Sequence, residues 1–271
     1  MKLKEYPPSL MRMARLWWLD PEQLNQPTPN DLPLIVSCTS IPSRFKVLDK
    51  TIKSVLSQNT PPKKMVLWLH SRHRGAIPDS LSALIGSKFS IQFTELDSPH
   101  CKLVPSLQAF PEETIVTCDD DLMYEPSWLE RLWHSHRAHP ESVIAHFARQ
   151  IAFDTQSGQI LPYKKWPMVK QRNYTHKNLL PLGFGGVLYP SRLLPETATN
   201  SDLYLKLSPK ADDLWFRAIA MTHGIKARTS ISSPKPPQPI PNSQKVSLKK
   251  NNVKKDANRS QWEALKKHFN L

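Results

Sequence analysis

A short β-branched run that ends in three consecutive aspartates, TIVTCDDDLMYEP at residues 114–126, constrains the fold of this chain more than any other feature. Ile115, Val116 and Thr117 favour an extended backbone, and so short a run between polar flanks is typical of a buried strand. In open α/β sheets, the carboxyl ends of the strands border the crevice in which ligands bind. The run therefore predicts a strand whose carboxyl end opens into a ligand site.

Asp119, Asp120 and Asp121 place three carboxylates at the end of this strand. Because alternate residues of an extended chain point to the same side, we expect Asp119 and Asp121 to share a face while Asp120 turns aside. Oxygen ligands of this kind suit Mg²⁺ or Mn²⁺, which usually take one or two carboxylates together with substrate phosphates. The alternative is a solvated acidic turn, but it must explain three carboxylates crowded beside an apolar strand. The motif favours a metal site for a diphosphate substrate.

Strand patterns and helix patterns alternate along the chain. Besides the strand before the aspartates, the sequence predicts strands at residues 34–38, 64–70, 90–95 and 143–147. Apolar spacings of three and four predict helices at residues 47–58, 80–85, 103–110 and 128–139. This alternation is typical of the α/β class, with a doubly wound, mostly parallel sheet flanked by helices.

The composition fits one main domain with an extension at each end. The chain has 271 residues and is 39% hydrophobic, which is enough for a sizeable core. We assign residues 1–30 to an amphipathic, basic N-terminal extension and residues 31–233 to the catalytic α/β domain. Residues 234–271 form a basic C-terminal arm, whose first eight residues include five prolines and predict a stiff linker.

The cysteines and the apolar runs bear on the compartment. Cys38, Cys101 and Cys118 are odd in number and lack paired spacing, which indicates reduced core thiols in a cytoplasmic protein. No apolar run approaches the roughly 18 residues of a membrane span, so only attachment to a membrane surface is expected.

A second constellation lies downstream, in GFGG and ADDLW. Gly183, Gly185 and Gly186 are three of only seven glycines, and such clustering marks a place where the backbone approaches something closely or adopts a positive φ. Asp212 and Asp213 stand at a predicted helix start, where an aspartate is favoured as the N-cap. Capping needs only one of them, so the second could act as a general base beside the glycines.

The ordered set TSIPSR, DDD, GFGGVLYP and ADDLW resembles bacterial glycosyltransferases of the GT-A fold, of the family-two-like kind. The resemblance runs from about residue 34 into the C-terminal segment. It implies a nucleotide-diphosphate-sugar donor, with a UDP-sugar as the first expectation, and a divalent metal, Mn²⁺ or Mg²⁺. It implies that Asp119 faces the ribose and Asp121 binds the metal, with Asp119 as a second candidate ligand and Asp120 as a donor-site residue. Asp213, or Asp212 beside it, would be the base of an inverting enzyme.

The resemblance also suggests further donor-binding residues. Thr39, Ser40 and Arg44 follow the first strand, where the nucleotide would lie, although Arg44 could equally be a surface side chain. Lys102 could offset the charge of the leaving diphosphate, although most lysines are merely solvated. Trp166 could stack on a sugar ring, although a core tryptophan is the commoner explanation of a buried indole. Gly185 and Gly186 would also border the donor. The second strand ends in LWLHSR, without the acidic residue that many related enzymes use for the nucleobase.

The charge distribution concerns the partners. The chain carries a formal charge of +14, and residues 234–271 contain nine basic against two acidic side chains. The basic end lacks a recognisable nucleic-acid module and has a single Trp and a single Phe for stacking, so we expect no nucleic acid as a partner. An anionic membrane surface is the better match. Near the other end, SLMRMARLWWLD has the composition of a short interfacial helix, unless that helix packs on the sheet.

These features predict a metal-dependent, inverting glycosyltransferase of surface polysaccharide or lipooligosaccharide biosynthesis. It would act on a glycan or lipid-linked acceptor at the inner face of the cell membrane. A nucleotidyltransferase or phosphohydrolase could use the same carboxylates. A non-enzymatic alternative is a basic module that binds nucleic acid or membranes.

Overall fold

The computed structural model describes residues 5–232, 235–241, 243 and 256–271. The strands are β1 Leu32–Thr39, β2 Pro62–His70, β3 Phe89–Thr94, β4 Thr114–Thr117, β5 Leu122–Met123, β6 Ser142–Ala145, β7 Ala148–Gln150, β8 Leu179–Pro181, β9 Val187–Pro190, β10 Lys226–Thr229 and β11 Gln238–Pro239. Seven of these form the central sheet, in the order β10-β6-β9-β4-β1-β2-β3.

The central sheet is mostly parallel. β1 pairs in parallel with β2 and with β4, β2 with β3, and β10 with β6. β9 is the exception, because it runs antiparallel between β4 and β6. The predicted class, an α/β fold with a mostly parallel sheet flanked by helices, is confirmed. The four further predicted strands and the four predicted helices are present with small changes at their ends. The antiparallel strand β9 was not predicted. Its residues directly follow the glycine cluster and belong to the same motif, GFGGVLYP.

The helices are α1 Tyr6–Trp17, α2 Pro21–Leu24, α3 Phe45–Leu56, α4 Asp79–Ser82, α5 Val104–Ala109, α6 Trp128–Ala138, α7 Ser201–Leu207, α8 Asp212–Thr222 and α9 Ala257–Phe269. Helix α3 shows why they form, because Leu48, Ile52 and Val55 recur at helical spacing and are fully buried. None of the helices in the described ranges has the length and apolar character that crossing a bilayer requires.

In β4, β6 and β9, neighbouring residues of a strand pack into two different cores, one on each face of the sheet. Ile115 faces the core formed with α5, α7, α8 and α9, whereas Val116 faces the core formed with α3, α4 and α6. Cys38, Cys101 and Cys118 are buried and unpaired, which confirms the prediction of free core thiols.

The C-terminal arm contains more structure than a linker. β11 pairs antiparallel with β5, which directly follows the three aspartates. Helix α9 places Trp262 and Leu265 in the core beside α8. The prediction of a stiff linker at residues 234–241 is therefore wrong for Gln238–Pro239, and residues 244–255 of the basic arm lie outside the described part. The domain limits stay a prediction.

Candidate active site

The three aspartates lie just beyond the end of β4. That strand ends at Thr117, and residues 120 and 121 form a turn. The alternation expected of an extended chain stops where the strand stops, so the side chains group differently from the prediction. Asp120 and Asp121 share one partner, the guanidinium of Arg44, whereas Asp119 contacts Lys102. The motif therefore connects two clusters of charge at the same sheet edge.

Asp120 anchors the turn and is buried. Ser40 Oγ donates a hydrogen bond of 2.6 Å to its Oδ2, and Arg44 Nη1 donates to its Oδ1. Thr51 Oγ1 donates to the main-chain carbonyl oxygens of Asp120 at 3.1 Å and of Leu122 at 2.9 Å. Ser40 and Arg44, both expected to contact the donor, thus support the aspartate turn in this structure. Their donor contacts stay predictions.

Asp121 is held from two sides. Its Oδ2 lies 3.3 Å from Arg44 Nη2, and its main-chain oxygen accepts a 2.9 Å hydrogen bond from the Ile240 N–H. The pKa of Asp121 is raised to about 7, first by burial and then by the charge of Asp119, against the opposing charge of Arg44. A carboxylate in such surroundings becomes more stable when a cation is added beside it.

Lys102 joins the strand end to helix α8. Its Nζ lies 3.2 Å from Asp119 Oδ1 and 3.0 Å from Asp212 Oδ2. Although burial by itself lowers the pKa of Lys102, the charges of Asp212 and Asp119 raise it well above its usual value. The ammonium therefore stays charged and lies between the two acidic segments that the sequence singles out.

Asp213 is held by the glycine-rich segment. Both of its carboxylate oxygens lie 3.1 Å from the main-chain nitrogen of Gly183, which donates to them. The pKa of Asp213 is raised to about 7, first by burial and then by the charge of Asp212, against the opposing charge of Lys102. The N-cap position of α8 is held by Ala211, so the expectation that one of the two aspartates caps the helix is wrong. A carboxyl with a pKa near neutrality can accept a proton from a substrate at physiological pH.

The glycine cluster is explained by close packing. A Cβ atom on Gly183 would lie 2.8 Å from Lys102 Nζ, and one on Gly185 would lie 2.2 Å from a ring carbon of Phe147. Gly186 has φ +91° and lies against the indole of Trp128. The prediction of close approach and positive φ is confirmed. Because the partners of Gly185 and Gly186 are protein rings, their contact with a donor stays a prediction.

Two predicted donor-site residues have other roles here. Trp166 is fully buried in the core beside α8, and its Nε1 donates to the carbonyl oxygen of Leu161 at 2.7 Å. It has no free face for a sugar ring, so that prediction is wrong and the alternative, a core tryptophan, is correct. Thr39 Oγ1 donates to the carbonyl oxygen of Trp68 at 2.8 Å, at the ends of β1 and β2.

The structure adds residues that the sequence did not single out. The hydroxyl of Tyr124 accepts a 2.9 Å hydrogen bond from the Asp119 N–H and donates to the carbonyl oxygen of Phe184 at 3.2 Å. Ser243, in the C-terminal arm, accepts a 3.3 Å hydrogen bond from Arg44 Nε through its carbonyl oxygen. Tyr124 lies within the aspartate motif and could have been suspected, whereas no local signal places the arm at the site.

The strand-end carboxylates fit a divalent cation that binds together with a substrate. No three Asp, Glu, His or Cys side chains in the described ranges come together as a complete metal-binding group. Mg²⁺ and Mn²⁺ do not need one, since waters and substrate phosphates complete their ligand shells. The raised pKa of Asp121, caused by burial and by Asp119, is the shift that a bound cation would reverse. Asp121 and Asp119 are therefore suitable ligands, and the metal itself stays a prediction.

Comparison with known proteins gives weak structural similarities. No protein-family model matches the chain, and no curated protein matches it significantly. The chain is similar to a CMP:2-keto-3-deoxy-manno-octonic acid synthetase with CTP (15% identity, TM-score 0.44, 72% of this chain and 88% of that one). It is similar to a 4-diphosphocytidyl-2C-methyl-D-erythritol synthase from Anaerococcus prevotii (13% identity, TM-score 0.48, 80% of this chain and 94% of that one). It is also similar to residues 1–349 of S. aureus TarS with UDP (15% identity, TM-score 0.47, 76% of this chain and 59% of that one). Similarity of this degree carries no conclusion about activity.

Proposed function

We propose that this protein is a metal-dependent, inverting glycosyltransferase. Its donor is a nucleotide-diphosphate sugar, with a UDP-sugar as the first candidate, and its acceptor is a hydroxyl of a glycan or lipid-linked glycan in surface polysaccharide or lipooligosaccharide biosynthesis. The observation that carries the proposal is the position of Asp213. Burial and the charge of Asp212 raise the pKa of this carboxyl to about 7, and it accepts a hydrogen bond from the Gly183 N–H. Lys102, which contacts both Asp212 and Asp119, connects this cluster to the strand end.

The residues of the site divide the chemistry between them. Asp121 and Asp119 would hold the cation, which supplies positive charge at the diphosphate when bound. Lys102, whose ammonium stays charged, offsets the charge that develops on the departing diphosphate. Asp213 removes the proton from the acceptor hydroxyl while the oxygen of that hydroxyl attacks the anomeric carbon. The carbon–oxygen bond to the diphosphate breaks on the opposite side, so the anomeric configuration inverts.

A nucleotidyltransferase is the main competing function, and a general base argues against the kind whose nucleophile is a phosphate. A phosphate nucleophile is already an anion at neutral pH and needs no base to activate it. A neutral hydroxyl does need one, and Asp213 is suited to that task. A non-enzymatic binding module gives no reason to hold Asp119, Asp121, Asp212 and Asp213 together at a cost in desolvation.

The proposal is tested by a calorimetric screen of nucleotide sugars and nucleoside triphosphates with Mn²⁺ and with EDTA. We expect a nucleotide sugar to bind with Mn²⁺ only, and its transfer to a glycan acceptor to release the nucleoside diphosphate. Asp202→Asn, at an exposed aspartate on α7, is the matched control and should behave as the parent does. Consumption of a nucleoside triphosphate with release of pyrophosphate would replace the proposal by nucleotidyl transfer.

The proposed location is the cytoplasmic face of the cell membrane. The three free, buried cysteines support a reducing compartment. An acceptor carried by a lipid would bring the enzyme to the membrane surface.

A further inference from the structure

Helix α1 has one face that no described part of the chain covers. Four large apolar side chains on and just after this helix are more than half exposed: Leu10 by 53%, Met11 by 75%, Trp17 by 68% and Trp18 by 85%. Exposed apolar side chains occur singly on most proteins, but four of them on one helix form a patch. At 100° per residue, Trp17, Leu10, Trp18 and Met11 fall on one side of the helix.

The opposite face of α1 holds the helix firmly on the domain. Leu16 is buried and packs with Met123 and Ile240. Arg12 Nη2 donates a 2.6 Å hydrogen bond to the carbonyl oxygen of Tyr124. The sequence left open whether this helix packs on the sheet or lies at a membrane. Because one face is packed and the other is bare, the two alternatives are compatible.

The charges around the patch determine which partner suits it. Helix α1 contains Arg12 and Arg15 and no acidic residue, and the chain carries +14 overall. Lys50 Nζ lies 4.8 Å from the ring centroid of Trp17, but it is buried and paired with Asp49, so the positive charge beside the patch comes from the arginines of α1. Tryptophan beside basic residues is the composition of helices that lie in the headgroup layer of a membrane. A stable protein complex, by contrast, buries about 800 Å² on each partner, more than one face of a short helix supplies.

We propose that α1 attaches the protein to the surface of an anionic bilayer. The helix lies in the plane of the membrane, with Leu10, Met11, Trp17 and Trp18 inserted below the headgroups and Arg15 beside the anionic lipids. The attachment does not depend on the reaction that the site performs. It would, however, bring the membrane close to the aspartate turn, since α1 contacts the residues Met123 and Tyr124 that follow that turn.

The test is flotation of the full chain with vesicles of phosphatidylcholine containing 30% phosphatidylglycerol, and with vesicles of phosphatidylcholine alone. We expect binding to the anionic vesicles that weakens as salt is added. Trp18→Ser combined with Met11→Ser removes the two most exposed side chains of the patch and should lower vesicle affinity at least about tenfold. The matched control is Leu205→Ser with Met168→Ser, two exposed apolar residues that belong neither to α1 nor to the segment after it, which should leave affinity unchanged.

Melting temperature and the oligomeric state are measured for every variant. Equal vesicle affinity of the α1 variant and the control variant would overturn the proposal, as would a parent that does not float with anionic vesicles. If the parent is a dimer and the variant with Trp18→Ser and Met11→Ser is a monomer, the patch binds a second copy of the chain instead. Donor binding measured in solution without vesicles reports on the proposed enzymatic function separately, so the two proposals can fail independently.

Discussion

Replacement of Asp213 by Asn tests the central argument about the site, because it changes charge while keeping the size of the side chain. Burial, and then the charge of Asp212, raises the pKa of Asp213 from 3.8 to about 7. A raised pKa means that the folded protein holds the proton more tightly than the unfolded chain does. Stability is therefore lost as the pH rises from about 4 to about 7 and this carboxyl ionises.

The size of that loss follows from the shift. Three pKa units correspond to at most about 4 kcal/mol, and solvent at the half-buried side chain reduces this. We expect the metal-free Asp213→Asn protein to gain stability relative to the parent at pH 8 but not at pH 4. Urea unfolding of both proteins at the two pH values measures the difference. The same difference at both pH values would refute the assigned pKa.

The same substitution should lower turnover, although it raises stability at pH 8. Turnover of the parent should rise with pH through about 7 and then level off, because Asp213 acts as a base only when ionised. The Asn variant should lose about 10²–10⁴-fold in turnover while its donor affinity is kept. Asp202→Asn again serves as the control. Near-parental turnover of the Asp213 variant would place the base elsewhere, and a product that retains the anomeric configuration would exclude single displacement.

Three further predictions concern single residues. Asp121→Asn should abolish the Mn²⁺-dependent part of donor affinity without unfolding the chain, because the remaining carboxylates repel a diphosphate; equal affinities with Mn²⁺ and with EDTA in parent and variant would contradict this. Gly183→Ala should lower stability by about 1–3 kcal/mol and also slow transfer, since the added methyl group would lie 2.8 Å from Lys102 and 3.0 Å from Asp213; unchanged melting temperature and turnover would show that the segment adapts. Trp166→Ala should cost about 3–5 kcal/mol in a urea titration because it empties a core position; loss of sugar binding at parental stability would instead restore the stacking role.

The sequence by itself determined the elements and the class of the fold. Residues 45–56 form a helix because Leu48, Ile52 and Val55 recur on one side, and this spacing is local information. The aspartates could be placed at a strand end for the same reason, since a β-branched run and the polar residues after it are adjacent in the chain. Alternating strands and helices then allow few arrangements besides a mostly parallel sheet.

Only the tertiary structure decided which side chains meet. Lys102 lies between Asp119 and Asp212, and Gly183 donates to Asp213, because β9 is inserted antiparallel beside β4 and α8 packs behind it. Strand order depends on how the two cores are filled by residues distant in sequence, and no local pattern encodes it. The same limit explains Trp166, whose indole is equally suited to a core and to a sugar. It also explains α1, whose apolar residues could be divided between a packed face and an exposed one only after the surface beneath the helix was known.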